Sequence, residues 1–353
     1  MRTIRTFLLL PLLCCPLAAP AGGVQSKLYV LHSTGDALSV IDTATDRVIK
    51  TVTVGLHPHG LAAPASRTRL YVSTEGDNGL TVIDTRTDEV IARHTGFGRR
   101  PNEIEVTADG RFVYVPALGD GVFEVFDTES EKIVARIPTD GLPHNVVVSP
   151  DDRYMYLAPM EMPKERAREF AGQGFPASLN RKIYIADAHT HAVIDTIDTV
   201  NAPRPLAVSP DGQRLYVNTN QLLGFLVLDI AARRIASRAE YELTEAERLE
   251  PSRAHGIGVT PDQREVWSTD INRGLVFVFD VTVDPPRQIA RLATGRTPLW
   301  LTVSPDGRTV YVANTADDNV SVFDVPSKTE RLRIPLGPGT APKRLLLVEV
   351  PAS

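Results

Sequence analysis

An aromatic residue beside an aliphatic one recurs along this chain with a period in the forties, and no other feature narrows the fold so far. The pairs are Tyr29-Val30, Tyr71-Val72, Tyr114-Val115, Tyr156-Leu157, Tyr216-Val217, Val266-Trp267 and Tyr311-Val312. Successive aromatic residues are 42, 43, 42, 60, 51 and 44 positions apart. A unit of that length, made of strands and turns, buries its apolar faces only by stacking on its neighbours. That predicts a propeller with one four-stranded blade per repeat.

The last full repeat shows the four strands. Leu299-Trp300-Leu301-Thr302-Val303 reads as strand A and Thr309-Val310-Tyr311-Val312-Ala313 as strand B. Asn319 to Asp324 reads as strand C and Arg331-Leu332-Arg333-Ile334 as strand D, all rich in β-branched and aromatic residues. Ser304-Pro305-Asp306-Gly307 forms the A–B turn and recurs as Ser149-Pro150-Asp151-Asp152, Ser209-Pro210-Asp211-Gly212 and Thr260-Pro261-Asp262-Gln263. Strand C ends on aspartate at Asp42, Asp84, Asp127, Asp229 and Asp280. Such residues bond their own downstream backbone, so these aspartates are expected to close C–D turns rather than to form a catalytic ring.

The segments Tyr71-Val72-Ser73-Thr74 with Thr81-Val82-Ile83-Asp84-Thr85, and Tyr311-Val312-Ala313-Asn314 with Val322-Phe323-Asp324, resemble the YVTN-repeat, YncE-like propellers. The likeness runs over essentially the whole chain after its first segment. It implies the fold strongly and the activity weakly, because that family includes binding proteins, accessory proteins and relatives of enzyme subunits.

The ends of the chain predict how the ring closes. Lys27-Leu28-Tyr29-Val30 begins the repeats at strand B, while Pro342 to Val348 reads as a strand A with nothing after it. The expectation is an all-β, seven-bladed propeller over residues 22–353, its first blade completed by the C-terminal strand. Closure of that kind leaves no exposed sheet edge at the seam.

Residues 1–21 read as a secretory signal. Arg2 and Arg5 precede 13 largely apolar residues, Phe7 to Ala19, and Ala19-Pro20-Ala21 fits a cleavage site. The apolar run falls short of the roughly 20 residues that a membrane-spanning helix needs. Both cysteines, Cys14 and Cys15, lie within it, so a mature protein would contain no thiol. These features predict a periplasmic or secreted monomer with no membrane anchor after cleavage. The net charge of −5 lacks the basic excess of a general nucleic-acid binder.

Two spacings exceed the period. Met160 to Arg181 interrupts the fourth blade between strands B and C, and Pro163 to Phe170 within it reads as a short helix. Tyr241 to Ser252 separates the fifth and sixth blades, with Thr244-Glu245-Ala246-Glu247 as a capping box. B–C and D–A connections of a propeller share a face, so both insertions belong beside the same mouth of the central channel.

Aligning the starts of the inner strands gives the candidate site. Pro58, Pro101, Pro143, Pro203, Ala254, Pro298 and Pro342 form one column. The next holds His59, Asn102, His144, Arg204, His255, Leu299 and Lys343, polar in six of seven places. Two positions further on, Leu61, Ile104, Val146, Leu206, Ile257, Leu301 and Leu345 form an apolar column. Histidines in the second, fourth and sixth blades invite a three-imidazole site for a divalent metal ion, with Glu103 as general base and His57 and His32 nearby. Arg204 and Lys343 in the same ring would repel a cation and suit an anion instead, with Asn102 and Trp300 as further ligand contacts.

No Walker loop, cysteine zinc motif, haem-attachment motif or nucleophile elbow is present in the sequence. Two functions follow as expectations. One is an exported propeller that binds a small molecule or a periplasmic protein partner at the insertion-bearing face. The other is a metal-dependent enzyme centred on His59, His144 and His255. A lactonase-like hydrolase is a third, resting on fold analogy.

Overall fold

Seven four-stranded antiparallel sheets are arranged as blades around a central channel in the computed structural model, which describes residues 24–161 and 180–351. Residues 1–21, read above as an expected signal, and most of the fourth-blade insertion, including its expected helix, lie outside the described residues. Strand edges follow the sequence: in the seventh blade they are Pro298–Val303, Thr309–Asn314, Asn319–Asp324 and Thr329–Pro335.

The first blade closes as the chain ends require. Its inner strand is Pro342–Pro351, paired antiparallel to Val24–His32 with Leu28 opposite Leu347 and Val30 opposite Leu345. Leu28, Val30, Leu345 and Leu347 then pack against Tyr311, Val320 and Val322 of the seventh blade, so the seam is an apolar inter-blade layer. Each wholly apolar cluster spans two neighbouring blades in this manner, as with Tyr29, Leu38 and Val40 against Leu61, Val72 and Ile83.

Turn chemistry also holds. Asp42 Oδ1 accepts from Ala44 N at 2.9 Å, Asp84 Oδ1 from Arg86 N at 2.8 Å and Asp229 Oδ1 from Ala232 N at 2.9 Å. In the A–B turns, Ser149 donates to Asp151 and Ser209 to Asp211, both at 2.6 Å. These aspartates are consumed by the turns. The second insertion carries a short helix, Glu245–Leu249, with the Thr244/Glu247 capping box in place.

One irregularity repeats at the inner strands. The A–B ladder shifts register between Pro58 and Leu61, Pro143 and Asn145, Pro203 and Leu206, Ala254 and Ile257, and Pro298 and Trp300. Each break sits on the polar column, and the first blade has its own between Val30 and His32. A bulge bends the strand and re-aims a side chain, here at the rim of the channel. His57, Arg100, Thr297 and Ala341 precede the rim prolines with φ of 51°, 58°, 56° and 43°, a left-handed conformation that non-glycine residues rarely adopt.

Candidate site at the channel mouth

The apolar column behaves as packing demands: Leu61, Ile104, Val146, Leu206, Ile257, Leu301 and Leu345 are all buried between blades. The polar column two residues before it splits into two groups.

The first group centres on His59. Its Nδ1 lies 2.6 Å from Glu75 Oε1 and its Nε2 2.5 Å from Lys343 Nζ, with Glu103 Oε1 3.5 Å away. Asn102 Nδ2 donates to Glu75 at 2.7 Å, and Arg100 reaches the other Glu75 oxygen at 3.5 Å. Burial alone would raise the Glu75 carboxyl. The His59 ring, Lys343 and Arg100 outweigh it and hold the group well below the usual carboxylate range. Burial lowers the Lys343 ammonium, partly opposed by Glu103 and Glu75.

Glu103 is fully buried, and neither of its carboxylate oxygens accepts a hydrogen bond among the described residues. Its Oε2 lies 3.2 Å from Arg344 Nε. Arg344 in turn lies 4.3 Å from the centre of the Trp300 ring, and Trp300 meets His255 edge-on at 5.3 Å. Two residues on, in the short inner strand Glu105–Val106, burial pushes the Glu105 carboxyl up to about 7, against the pull of Val106 N–H, Arg344 and Arg67.

The second group is His144, Arg204 and His255. Both imidazoles are held well below the ordinary histidine range, first by burial and then by the charge of Arg204. They are therefore neutral at pH 7. His255 donates Nδ1–H to Leu299 O at 2.7 Å, whereas His144 Nδ1 is buried without a hydrogen-bond partner among the described residues. Arg204 bonds Asn220, which bonds Glu161 at the root of the first insertion.

The three histidines do not form a metal set. Among the described residues, no three His, Cys, Asp or Glu side chains are grouped so as to hold a metal ion. The physical reason lies in their partners: His59 is drawn onto Glu75 and Lys343, and the Leu299 carbonyl claims one ring nitrogen of His255. His32 is turned into the first blade, bonded to Ser39 Oγ at 2.8 Å, and His57 lies on the exposed loop beside Ser33 O.

Sequence reasoning missed Glu75, Arg100 and Arg344. Glu75 was recoverable: the position four residues after each strand-B aromatic reads Ser33, Glu75, Leu118, Met160, Asn220, Ile271 and Thr315 around the ring. Three of these touch the inner strands' polar ends, Glu75 on His59, Asn220 on Arg204 and Thr315 on Pro342 O.

The family model described as "Lactonase, 7-bladed beta-propeller" matches residues 236–334. No curated protein matches the sequence closely enough to mark a relationship. Among solved structures, Kuenenia stuttgartiensis hydrazine synthase is similar with a TM-score of 0.72 at 20% identity, over 84% of this chain and 92% of that one. The Pseudomonas aeruginosa periplasmic gluconolactonase PpgL matches with a TM-score of 0.72 at 19% identity, over 93% of this chain and 100% of that one. The dihydro-heme d1 dehydrogenase NirN matches with a TM-score of 0.63 at 16% identity, over 89% of this chain and 64% of that one. At these identities the likeness establishes a shared fold.

Proposed function

We propose that this chain is an exported, YncE-like propeller that binds a small organic anion at the channel mouth, on the face where the insertions emerge. The observation that carries this reading is the sign of the field there. Arg204, His59 and Lys343 all press on His144 in the same direction, and the one opposing group, Glu75, acts more weakly than any of them. His255 feels Arg204 and Lys343 in the same way. A carboxylate entering that space meets two cations and two neutral imidazoles able to donate or accept hydrogen bonds.

Sugar acids and their lactones fit this chemistry, with a carboxylate for the cations and hydroxyls for the imidazoles and Asn102. The partial match to the lactonase family, over strands of the fifth, sixth and seventh blades, supports the same ligand class. A leader-like first segment supports export, which N-terminal sequencing of the mature protein tests.

A second reading, lactone hydrolysis, draws on one observation. A neutral imidazole with an unpartnered ring nitrogen beside two cations combines a base for water with stabilisers for a developing oxyanion.

Calorimetry with gluconate tests the first reading. Measurable binding that Arg204→Ala removes, at an unchanged melting temperature, supports it. No heat with gluconate or related sugar acids overturns it. Turnover of glucono-lactone above its spontaneous rate, lost in His144→Gln, supports the second reading, and a rate equal to buffer alone overturns it.

A further inference from the structure

The third residue of strand C has one role in most blades: it holds the connection that arrives from the preceding blade. In the second blade Thr81 Oγ1 donates to Val54 O at 2.6 Å, and in the third Glu124 Oε2 accepts from Gly98 N at 2.8 Å. In the fourth, Tyr184 OH accepts from Asp140 N at 3.0 Å. Phe277 of the sixth blade stacks on Tyr241 with ring centres 4.0 Å apart, and Ser321 of the seventh accepts from Thr294 Oγ1 at 2.9 Å. The fifth blade carries Leu226 at this place, in strand Gly224–Asp229. Leucine has neither a polar atom to hold the connection at Val200 and Asn201 nor a ring to fill the space beneath it.

The same leucine strands a hydroxyl. The last residue of strand B bonds the strand-C residue seven positions further on. His32 Nε2 meets Ser39 Oγ in the first blade, and Asn314 Nδ2 donates to Ser321 Oγ in the seventh, each at 2.8 Å. Thr219 stands in that relation to Leu226. It is 3% exposed, and its Oγ1 has no hydrogen-bond partner among the described residues.

The result is a cavity of about 290 Å³ lined by Val200, Asn201, Thr219, Leu222, Leu226 and Ile235. Leu222, Leu226 and Ile235 belong to the apolar cluster shared with Ile183, Ile185 and Ile197, so the space lies between the fourth and fifth blades, away from the rim residues of the mouth. Arg238 also borders it, but its side chain is largely exposed and meets Glu240 at 3.0 Å. An apolar cavity of about 150 Å³ is enough to hold benzene.

We propose that this cavity binds a small, uncharged, largely apolar molecule whose hydroxyl or carbonyl group pairs with Thr219 Oγ1. A threonine hydroxyl donates or accepts, so it serves either group, and left unpaired in the interior it is costly. The leucine and isoleucine walls take the apolar body of the ligand. No carboxylate lines the cavity and its one arginine is already paired, so an ionised ligand would lose its water without gaining a partner. The site is independent of the anion site proposed at the mouth.

Benzyl alcohol and toluene, which differ by one hydroxyl, serve as probes in NMR titrations of the full-length protein. Saturable binding of benzyl alcohol is expected. Thr219→Val keeps the shape of the side chain and removes its hydroxyl. It should weaken benzyl alcohol about fivefold, the size of one net hydrogen bond, without weakening toluene. Leu226→Phe gives the fifth blade the ring that Phe277 supplies in the sixth, and should abolish binding of both probes with circular dichroism unchanged. No saturable binding of benzyl alcohol, binding that survives Leu226→Phe, or an equal effect of Thr219→Val on both probes overturns the inference. Benzoate should displace benzyl alcohol less well than toluene does, and the reverse order overturns the choice of an uncharged ligand.

Discussion

Arg344 stacks its guanidinium 4.3 Å from the Trp300 ring centre, which joins the strand that closes the first blade to the inner strand of the seventh. Closure and site are therefore one structure. The C-terminal strand supplies Lys343 and Arg344 to the mouth while Leu345, Leu347, Val348 and Val350 fill the core beneath.

Truncation before Pro342 should accordingly remove far more than a tail. Four buried aliphatic side chains at about 1.5–3 kcal/mol each are comparable to the whole stability of a typical domain, about 5–15 kcal/mol. The expected result is an insoluble product or a melting temperature lowered by tens of degrees. A truncated protein with the melting curve of the full chain would refute the closure.

Glu105→Gln should stabilise the protein at alkaline pH. A carboxyl raised to about 7 in the folded state binds its proton more tightly there than in the unfolded chain. Its penalty is absent below the ordinary carboxylate value, grows as pH rises toward 7 and is complete above it. Denaturant titrations should show the variant up to about 3 kcal/mol more stable at pH 8 and indistinguishable at pH 4. Equal stability at both pH values would count against a buried acid.

Histidine protonation should act in the opposite direction. His144 and His255 resist protonation when folded, so the unfolded chain binds more protons below its imidazole pKa of about 6.5. Stability should fall as pH drops from 6.5, by up to about 1.4 kcal/mol per pH unit for each ring. The double variant His144→Gln, His255→Gln should flatten that slope. The same shifts alter the expected pH response of ligand binding. Free histidines would charge as pH falls below 6.5 and tighten an anion, but these two resist protonation, so gluconate affinity should change little between pH 8 and 6.

Glu75→Gln should destabilise in a pH-dependent way. A carboxylate held below its ordinary value contributes stability above about pH 4.5, and the contribution is lost as pH falls through the depressed folded value. Removing one partner of a buried pair costs about 3 kcal/mol. The deficit of the variant at pH 7 should therefore shrink in acid, read from urea midpoints at each pH. A deficit that is constant with pH would assign Glu75 a packing role.

The repeat, the turn residues and the chain ends determine the architecture. Blade count, strand limits such as Asn319–Asp324 and the seam at Pro342 are encoded locally, in alternating apolar positions and in turn chemistry that acts over a few residues. The rim column was legible for the same reason, since equivalent positions of a repeat occupy equivalent places. What those side chains do there was decided by the tertiary structure. His59 and Lys343 are 284 positions apart and meet only because the ring closes, and Glu75 reaches them from a loop outside the aligned column. Periodicity sees one blade at a time, whereas bulges, burial and the fields of neighbouring blades choose each partner. That is why three equivalent histidines became one ring in contact with Glu75 and Lys343 and two neutral ones.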